Sequence, residues 1–225
     1  MQFDLQNVSV QFDSIPALSG ITLQIPSGSM LLVTGPTGSG KTTFLRVLYA
    51  DILPSAGAMF VNGQRTSALS RRRLVQMRRA MGIAFQDIRL LDELTVFDNI
   101  LLVLLLRKVP MAEARRRTLD VLVRFDISYV REKFPWQCSM GERHVVGIAR
   151  AVAAQPQCII ADEPTGNLDV DATIRIAEEL RNENKRGATV IVATHDPFFA
   201  AHFAATHRVA LYEGRLVPTD VPVQT

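Results

Sequence analysis

An apolar run, Met30-Leu31-Leu32-Val33, breaks at Thr34 into Gly35-Pro36-Thr37-Gly38-Ser39-Gly40 and ends in Lys41-Thr42-Thr43. No other stretch narrows the possible folds as much. Gly35, Gly40, Lys41 and Thr42 fit the spacing G-x-x-x-x-G-K-[ST]. In that pattern the glycines let backbone N–H groups close around phosphate oxygens, the lysine reaches the β- and γ-phosphates, and the hydroxyl holds Mg²⁺. The flanks agree with it: Leu31 to Val33 read as a buried strand, and Thr43 to Tyr49 can open a helix whose N-terminal dipole points at the phosphates. Strand, loop and helix in this order read as a nucleotide triphosphate site rather than a chance glycine-rich turn.

At 225 residues and 48% hydrophobic content, the chain can fill the interior of one large domain, or of a core with a subdomain. Its longest uncharged apolar run, Ile100 to Leu106, falls well short of the roughly 20 residues that a spanning helix needs. Residues Met1 to Gln6 lack a basic segment followed by an apolar stretch, so a cytoplasmic chain is expected. Cys138 and Cys158 have no second pair beside them and read as reduced, partly buried thiols. The net charge of +3 is uneven, with clusters at Arg71-Arg72-Arg73, Arg78-Arg79 and Arg115-Arg116-Arg117. Such clusters can meet nucleic acid or anionic lipid, or can be solvated helix faces. No aromatic residues interleave with them as base stacking requires, so nucleic acid is not expected as a partner.

Residues 3 to 25 alternate polar and apolar, as in Val8, Val10 and Phe12 and then Ile21, Leu23 and Ile25, which is the period of half-buried antiparallel strands. Pro54 and Gly57 mark a turn, and Met59 to Gly63 read as a short strand. A basic helix is expected up to Ala80, then a strand over Gly82 to Gln86. From there to about residue 155 the pattern is helical: Thr95-Val96-Phe97-Asp98 resembles a capping box, and Pro110 suits the first residue of a further helix ending near Phe125. Cys158 to Ala161 and Thr189 to Ala193 are continuous apolar strands around a helix at 170–185 that Gly187 stops, which is the pattern of a parallel sheet. A hairpin turning at Glu213-Gly214 and a frayed tail at 218–225 complete the chain. The expected fold is α/β: a parallel-sheet core and β layer from 1–86 and 156–217, with a helical subdomain inserted at 87–155.

Ile159-Ile160-Ala161-Asp162-Glu163 puts two acids at the carboxyl end of a buried strand, where an open parallel sheet presents its ligand site. Downstream of a phosphate loop, Asp162 suits support of Mg²⁺ and Glu163 suits orientation of the attacking water. Gln86 ends a strand, where its amide could touch both Mg²⁺ and the helical block. His195 follows another buried strand and either reaches a γ-phosphate oxygen from the same sheet edge or is structural. Ser139, with the free N–H groups of the helix that follows Cys138-Ser139-Met140-Gly141-Glu142, forms a second phosphate-binding surface.

Taken in order, Gly35 to Thr43, Gln86, Ser139 with Gly141, Asp162-Glu163, Gly166-Asn167-Leu168-Asp169 and His195 resemble the Walker A, Q-loop, signature, Walker B, D-loop and switch-histidine motifs of ABC ATPase subunits. The resemblance spans residues 3 to about 217. It implies a P-loop NTPase fold and ATP hydrolysis with Mg²⁺ at Thr42, Gln86 and Asp162. Glu163, His195 and Lys41 become the catalytic groups. It implies nucleotide contacts from Gly35, Pro36, Thr37, Gly38, Ser39, Gly40, Lys41, Thr42, Thr43 and Gln86, and from Ser139, Gly141, Glu142 and Asp169. It further implies a head-to-tail homodimer in which Ser139 and Gly141 of one chain face the Walker A loop of the other. Phe12 is implied to stack on adenine, although packing within the β layer would also account for it.

Within the superfamily, Arg78-Arg79, Phe85 to Leu91 and Pro164 to Asp169 look most like the FtsE type of cell-division subunit. Lipoprotein-releasing and macrolide-exporter ATPases share Thr-Gly-Asn-Leu-Asp but are less similar at Asp87 to Leu91. The resemblance implies a subunit peripheral on the inner face of the plasma membrane, docked through residues near 87–107 on an integral partner of the FtsX type, with no direct bilayer contact. The signature departs from the family's pattern: Cys138 stands for Leu and Met140 for the first Gly. Met140 adds a side chain beside the implied γ-phosphate contact and restricts the backbone if that position needs positive φ, so turnover that is slow, as for an ATP-gated scaffold, or dependent on the partner is expected.

Overall fold

The computed structural model describes residues 1–166 and 168–217; Asn167 and the tail at 218–225 lie outside the described residues. The chain runs through β1 (Phe3–Phe12), β2 (Ile15–Ile25), β3 (Met30–Thr34), α1 (Lys41–Leu48), β4 (Ala56–Val61), β5 (Gln64–Arg65), α2 (Arg71–Arg79) and β6 (Met81–Ala84). It continues through α3 (Val96–Leu106), α4 (Met111–Arg124), α5 (Met140–Ala153), β7 (Cys158–Asp162), α6 (Val170–Lys185), β8 (Thr189–Ala193), α7 (Pro197–His202), β9 (His207–Tyr212) and β10 (Arg215–Val217).

Two sheets result. The order β2-β1-β4-β5 is antiparallel throughout, and its alternating residues give it one buried face. In the order β10-β9-β3-β8-β7-β6, the five strands from β9 to β6 are parallel and β10 folds back on β9. Successive residues of a strand point to opposite faces, so β3 divides its side chains between two cores. Leu31 and Val33 join Phe44, Leu48 and the antiparallel layer on one side. Met30 and Leu32 join the helices on the other, with Ile100, Leu104, Leu122 and Val146. Between α4 and α6, Arg124 pairs with Glu179 and, at 2.7 Å, with the buried Glu183.

Several boundaries differ from the sequence reading, each for a local reason. The strand expected to reach Gln86 stops at Ala84, because the chain then turns through Ile88 and Arg89 with φ of 62° and 50°. β4 begins at Ala56, earlier than expected, since Ala56 to Val61 pair along β1. Thr95 caps α3 by accepting from the Asp98 N–H at 3.1 Å, but the Asp98 carboxylate accepts from the Thr95 hydroxyl, so only half of a capping box forms. Asp is one methylene shorter than the Glu or Gln that this box uses. Pro110 is the N-cap of α4 rather than its first residue. Helix α7 was not anticipated, although Asp196-Pro197 is a capping acid followed by proline at the first helical position.

Helix α5 packs so closely on β6 that a Cβ on Gly82 would lie 2.0 Å from the Ala151 carbonyl oxygen. Backbone occupies that space, and no rotamer change relieves the clash. Gly82→Ala is therefore expected to destabilise the chain by about 1–3 kcal/mol, read as a lower urea midpoint at unchanged m-value.

Candidate active site

The loop after β3 is shaped by two close approaches. A Cβ on Gly35 (φ 147°) would lie 2.2 Å from the Leu211 carbonyl, and one on Gly40 (φ 101°) would lie 2.7 Å from that of Ala17. The loop is thus clamped between β9 and the start of β2. Gly40 is the N-cap of α1, whose first N–H groups have no intrahelical acceptor and face the cleft mouth. Thr37, Gly38, Gly40, Lys41, Thr42 and Thr43 line a cleft of about 610 Å³. Gly35, Pro36 and Ser39, expected among the contacts, do not line it. Ser39 turns inward: its N–H donates to Pro36 O, its carbonyl accepts from Gly214 N–H, and its hydroxyl is buried without a partner. Its part is to tie the loop to the β9–β10 hairpin.

The buried Lys41 amine folds back over the loop, donating to Gly35 O at 2.8 Å and Pro36 O at 3.1 Å. It also lies 3.5 Å from Glu163 Oε1. Glu163 follows the last residue of β7 with φ of 48°, a left-handed conformation unusual for a residue with a side chain. Its own N–H donates to Ala193 O at the end of β8, at 2.8 Å. Its carboxylate is then held on both oxygens. Thr194 hydroxyl donates to Oε2 at 2.9 Å and His195 N–H to the same atom at 3.2 Å, while His195 Nδ1 lies 2.7 Å from Oε1. His195 itself is 61% exposed and reaches into the cleft mouth. One strand end therefore supplies the carboxylate, and its neighbour supplies three of the groups that fix it.

Asp162 lies beneath, in a second hollow lined also by Thr42, Gln86, Tyr49 and Asp87. It is 8% exposed, and its Oδ1 has no hydrogen-bond partner. Burial pushes its pKa up, with the Thr42 hydroxyl acting against that and the Glu163 charge adding to it. Gln86, which is exposed, borders both hollows. Among the described residues no three of His, Cys, Asp and Glu cluster as a metal cage. A hydroxyl, an amide and one carboxylate oxygen without a partner instead fit Mg²⁺, which keeps water and phosphate oxygens as its other ligands.

The remaining residues expected at the site lie elsewhere. Phe12 is 45% exposed and pairs with Ile15 at the tip of β1–β2, so it is not packed inside the β layer. The next pair, Gln11 and Pro16, puts Pro16 on the cleft wall. Ser139 is the N-cap of α5: its hydroxyl accepts from Glu142 N–H at 3.2 Å, and the Glu142 carboxylate accepts from Ser139 N–H at 2.6 Å. The Glu142 carboxyl is accordingly held in its own helix cap; burial would raise its pKa, but the Ser139 and Tyr129 hydrogen bonds outweigh it and keep it low. Ser139, Gly141 and Glu142 do not line the cleft that contains Lys41. Asp169 caps α6 by accepting from Ala172 N–H at 2.7 Å. Asn167 lies outside the described residues. Met140 is the first residue of α5, with right-handed backbone and its side chain 46% exposed. The concern about positive φ at that position does not apply in this conformation.

Three contributions were not read from sequence. Glu213 to Arg215 wall the cleft, for which the Glu213-Gly214 turn was a signal of shape but not of place. Thr194 has no motif of its own and matters only because parallel pairing sets β8 beside β7. Arg150 of α5 donates to Arg89 O at 2.6 Å and Ile88 O at 2.8 Å, fixing the turn beyond Gln86.

The orphaned Asp162 also predicts a pH effect. Its raised pKa means that the folded chain holds the proton more tightly than the unfolded one, so the cost in stability builds as pH rises from the unfolded to the folded pKa and is complete above the latter. Asp162→Asn is expected to raise the Tm of the nucleotide-free chain at neutral pH, with the gain shrinking as pH falls through that pKa. Calorimetry of both chains across pH tests this, and an unchanged Tm at neutral pH would refute it.

The chain is similar to several known proteins. The family model described as ABC transporter matches residues 18–166. The cell division ATP-binding protein FtsE of Bacillus subtilis is 36% identical over 184 residues, covering 82% of this chain and 81% of that protein. The lipoprotein-releasing system ATP-binding protein LolD of Bordetella pertussis is 36% identical over 206 residues, covering 91% and 88%. A dimeric ATP-binding cassette solved in a post-hydrolysis state with ADP and Pi superposes with a TM-score of 0.89 at 30% identity, covering 96% and 97%. Phosphate loop, paired strand-end acids and matched cassettes lead to one conclusion: the chain belongs to the ABC transporter family and is an ABC-type ATPase.

Proposed function

We propose that the chain hydrolyses Mg-ATP at a site completed by a second copy of itself, and that dimer closure drives an integral membrane partner of the FtsX type in bacterial cell division. The observation that carries this reading is the separation of two phosphate-binding surfaces. The Lys41 cleft and the α5 N-terminus do not share a lining, so one nucleotide reaches both only between two chains. The relative that is itself a dimer with ADP and Pi supports it.

In this reading Lys41 leaves the Gly35 and Pro36 carbonyls for the β- and γ-phosphates, and Thr37 to Thr43 offer backbone N–H groups. Thr42, Gln86 and Asp162 hold Mg²⁺, which neutralises phosphate charge when bound. Glu163 orients the attacking water and accepts its proton, while His195 fixes Glu163 and meets the γ-phosphate. Phe12 stacks on adenine from the hairpin tip, and Ser139, Gly141 and Asp169 act across the dimer. Residues 87–155 form the helical subdomain. The apolar groove lined by Phe85, Leu91, Leu102, Val103 and Leu106 receives the partner. In this reading the chain works at the cytoplasmic face of the plasma membrane.

The cell-division assignment rests on the FtsE relatives and the residues from Phe85 to Leu91. LolD at the same identity supports a second reading, a lipoprotein-releasing subunit. Identification of the co-purifying membrane protein separates them. The backbone argument for the scaffold alternative does not apply to the right-handed Met140, while its exposed side chain between Ser139 and Gly141 still supports that reading. Met140→Gly is expected to change ATP turnover by less than about threefold, as for an exposed position away from special backbone geometry.

Glu163→Gln removes the proton acceptor but leaves the phosphate and Mg²⁺ ligands. Turnover is expected to fall about 10²–10⁴-fold, with a stable dimer on size exclusion in Mg-ATP. Trp136, the one tryptophan of the chain, lies three residues before Ser139 and is 69% exposed. Its emission is expected to shift to the blue when that dimer closes. Equal turnover by parent and variant would sink the role given to Glu163.

A further inference from the structure

The arginine clusters are not alike. On α4, Arg116 pairs with Glu113 at 2.8 Å and Asp120 at 2.9 Å, and Arg117 pairs with Glu113 at 2.7 Å. Those partners pull the Glu113 carboxyl down to about 2, chiefly through the Arg116 hydrogen bond, so this face is internally neutralised. Helix α2 is built differently. Residues 52 to 86 contain six arginines and no acid, which leaves the remainder of a +3 chain with a net −3. Arg78 is anchored to the body, donating to Tyr49 O and Ala50 O. Arg71, Arg72, Arg73 and Arg79 are exposed, and among the described residues none has a carboxylate within 4.0 Å.

Arg71, Arg72, Val75 and Arg79 share the outer side of α2 with Lys108 from the turn after α3. Val75 is 38% exposed among these charges. The exposed arginines lack counter-charges among the described residues, so their mutual repulsion is a cost in the free chain that a polyanion relieves. Its place narrows the polyanion. Arg79 also borders the groove assigned to the membrane partner, beside the exposed Leu106. A chain docked through that groove carries the α2 face next to the bilayer, an orientation that rests on the proposed function. Guanidinium groups around a small apolar side chain suit a headgroup layer, while the lack of an aromatic on this face disfavours single-stranded nucleic acid.

We propose that the outer face of α2, with Lys108, is a binding surface for anionic phospholipid headgroups. It contacts the cytoplasmic leaflet directly and sets the tilt of the subunit against it. Arginine stays charged at every physiological pH, so the contact is sensitive to salt and insensitive to pH.

Co-sedimentation of the purified full chain, without a membrane partner, tests this with vesicles of phosphatidylcholine alone and of phosphatidylcholine with phosphatidylglycerol. Binding is expected to the anionic vesicles only, to weaken steeply with added salt, and to hold from mildly acidic to mildly alkaline pH. The triple variant Arg71→Gln, Arg72→Gln and Lys108→Gln is expected to bind about a hundredfold more weakly, near fivefold for each of the three charges lost. Its Tm and basal ATP turnover are expected to match the parent's, since these side chains are exposed and away from the cleft. Equal binding to both vesicles, or undiminished binding by the triple variant, would overturn the proposal. So would equally tight binding of DNA at the same salt, which would make the face a general polyanion surface. If vesicles bind as expected but no membrane protein co-purifies, the headgroup surface stands and the docking reading fails.

Discussion

The site depends on parallel register. Val33 of β3 lies opposite Ala193 of β8, and Asp162 of β7 lies opposite the same residue from the other side. Three strands therefore end at one edge, and the loops that leave them carry Lys41, Glu163 and His195 into one cleft. The Glu163 N–H bond to Ala193 O continues the ladder by one residue while its φ of 48° turns the side chain out of the sheet. A left-handed residue with a side chain is held only where its surroundings fix it. Here Thr194, His195 and the β8 backbone do so, and the carboxylate is in place before any nucleotide arrives.

Much of this was legible in the sequence because the relevant signals are local. A glycine-rich loop between an apolar run and a helix and two acids ending an apolar strand each report a turn or an edge. Ser139 and Glu142 were read only as nucleotide contacts, yet their spacing is that of the capping box they form. Signals of place were weaker. Ser39 sits inside the motif, yet hydrogen bonding to the distant Gly214 draws it away from the cleft. Gln86 lies beyond the strand it was expected to end, because a turn two residues later decides where pairing stops. Thr194 and the Glu213 to Arg215 wall were invisible for the same reason: their roles come from sheet order, and strand neighbours are not written in any single segment.

The arginines make the complementary point. Three clusters of one residue type have one composition and one bland interpretation, that of solvated helix faces. Their difference lies in what surrounds them in space: Glu113 and Asp120 one turn away on α4, and an acid-free stretch around α2. Charge counted along a chain says less than charge counted by neighbours.

Arg150 has a mechanical consequence. It grips the carbonyls of Ile88 and Arg89 from the last turn of α5, while the N-terminus of the same helix carries Ser139. The turn that follows Gln86 and the cap at Ser139 are therefore joined by one helix. In the proposed dimer, displacement of that turn is passed along α5 to the chain that Ser139 faces, without either end touching the nucleotide cleft of its own chain.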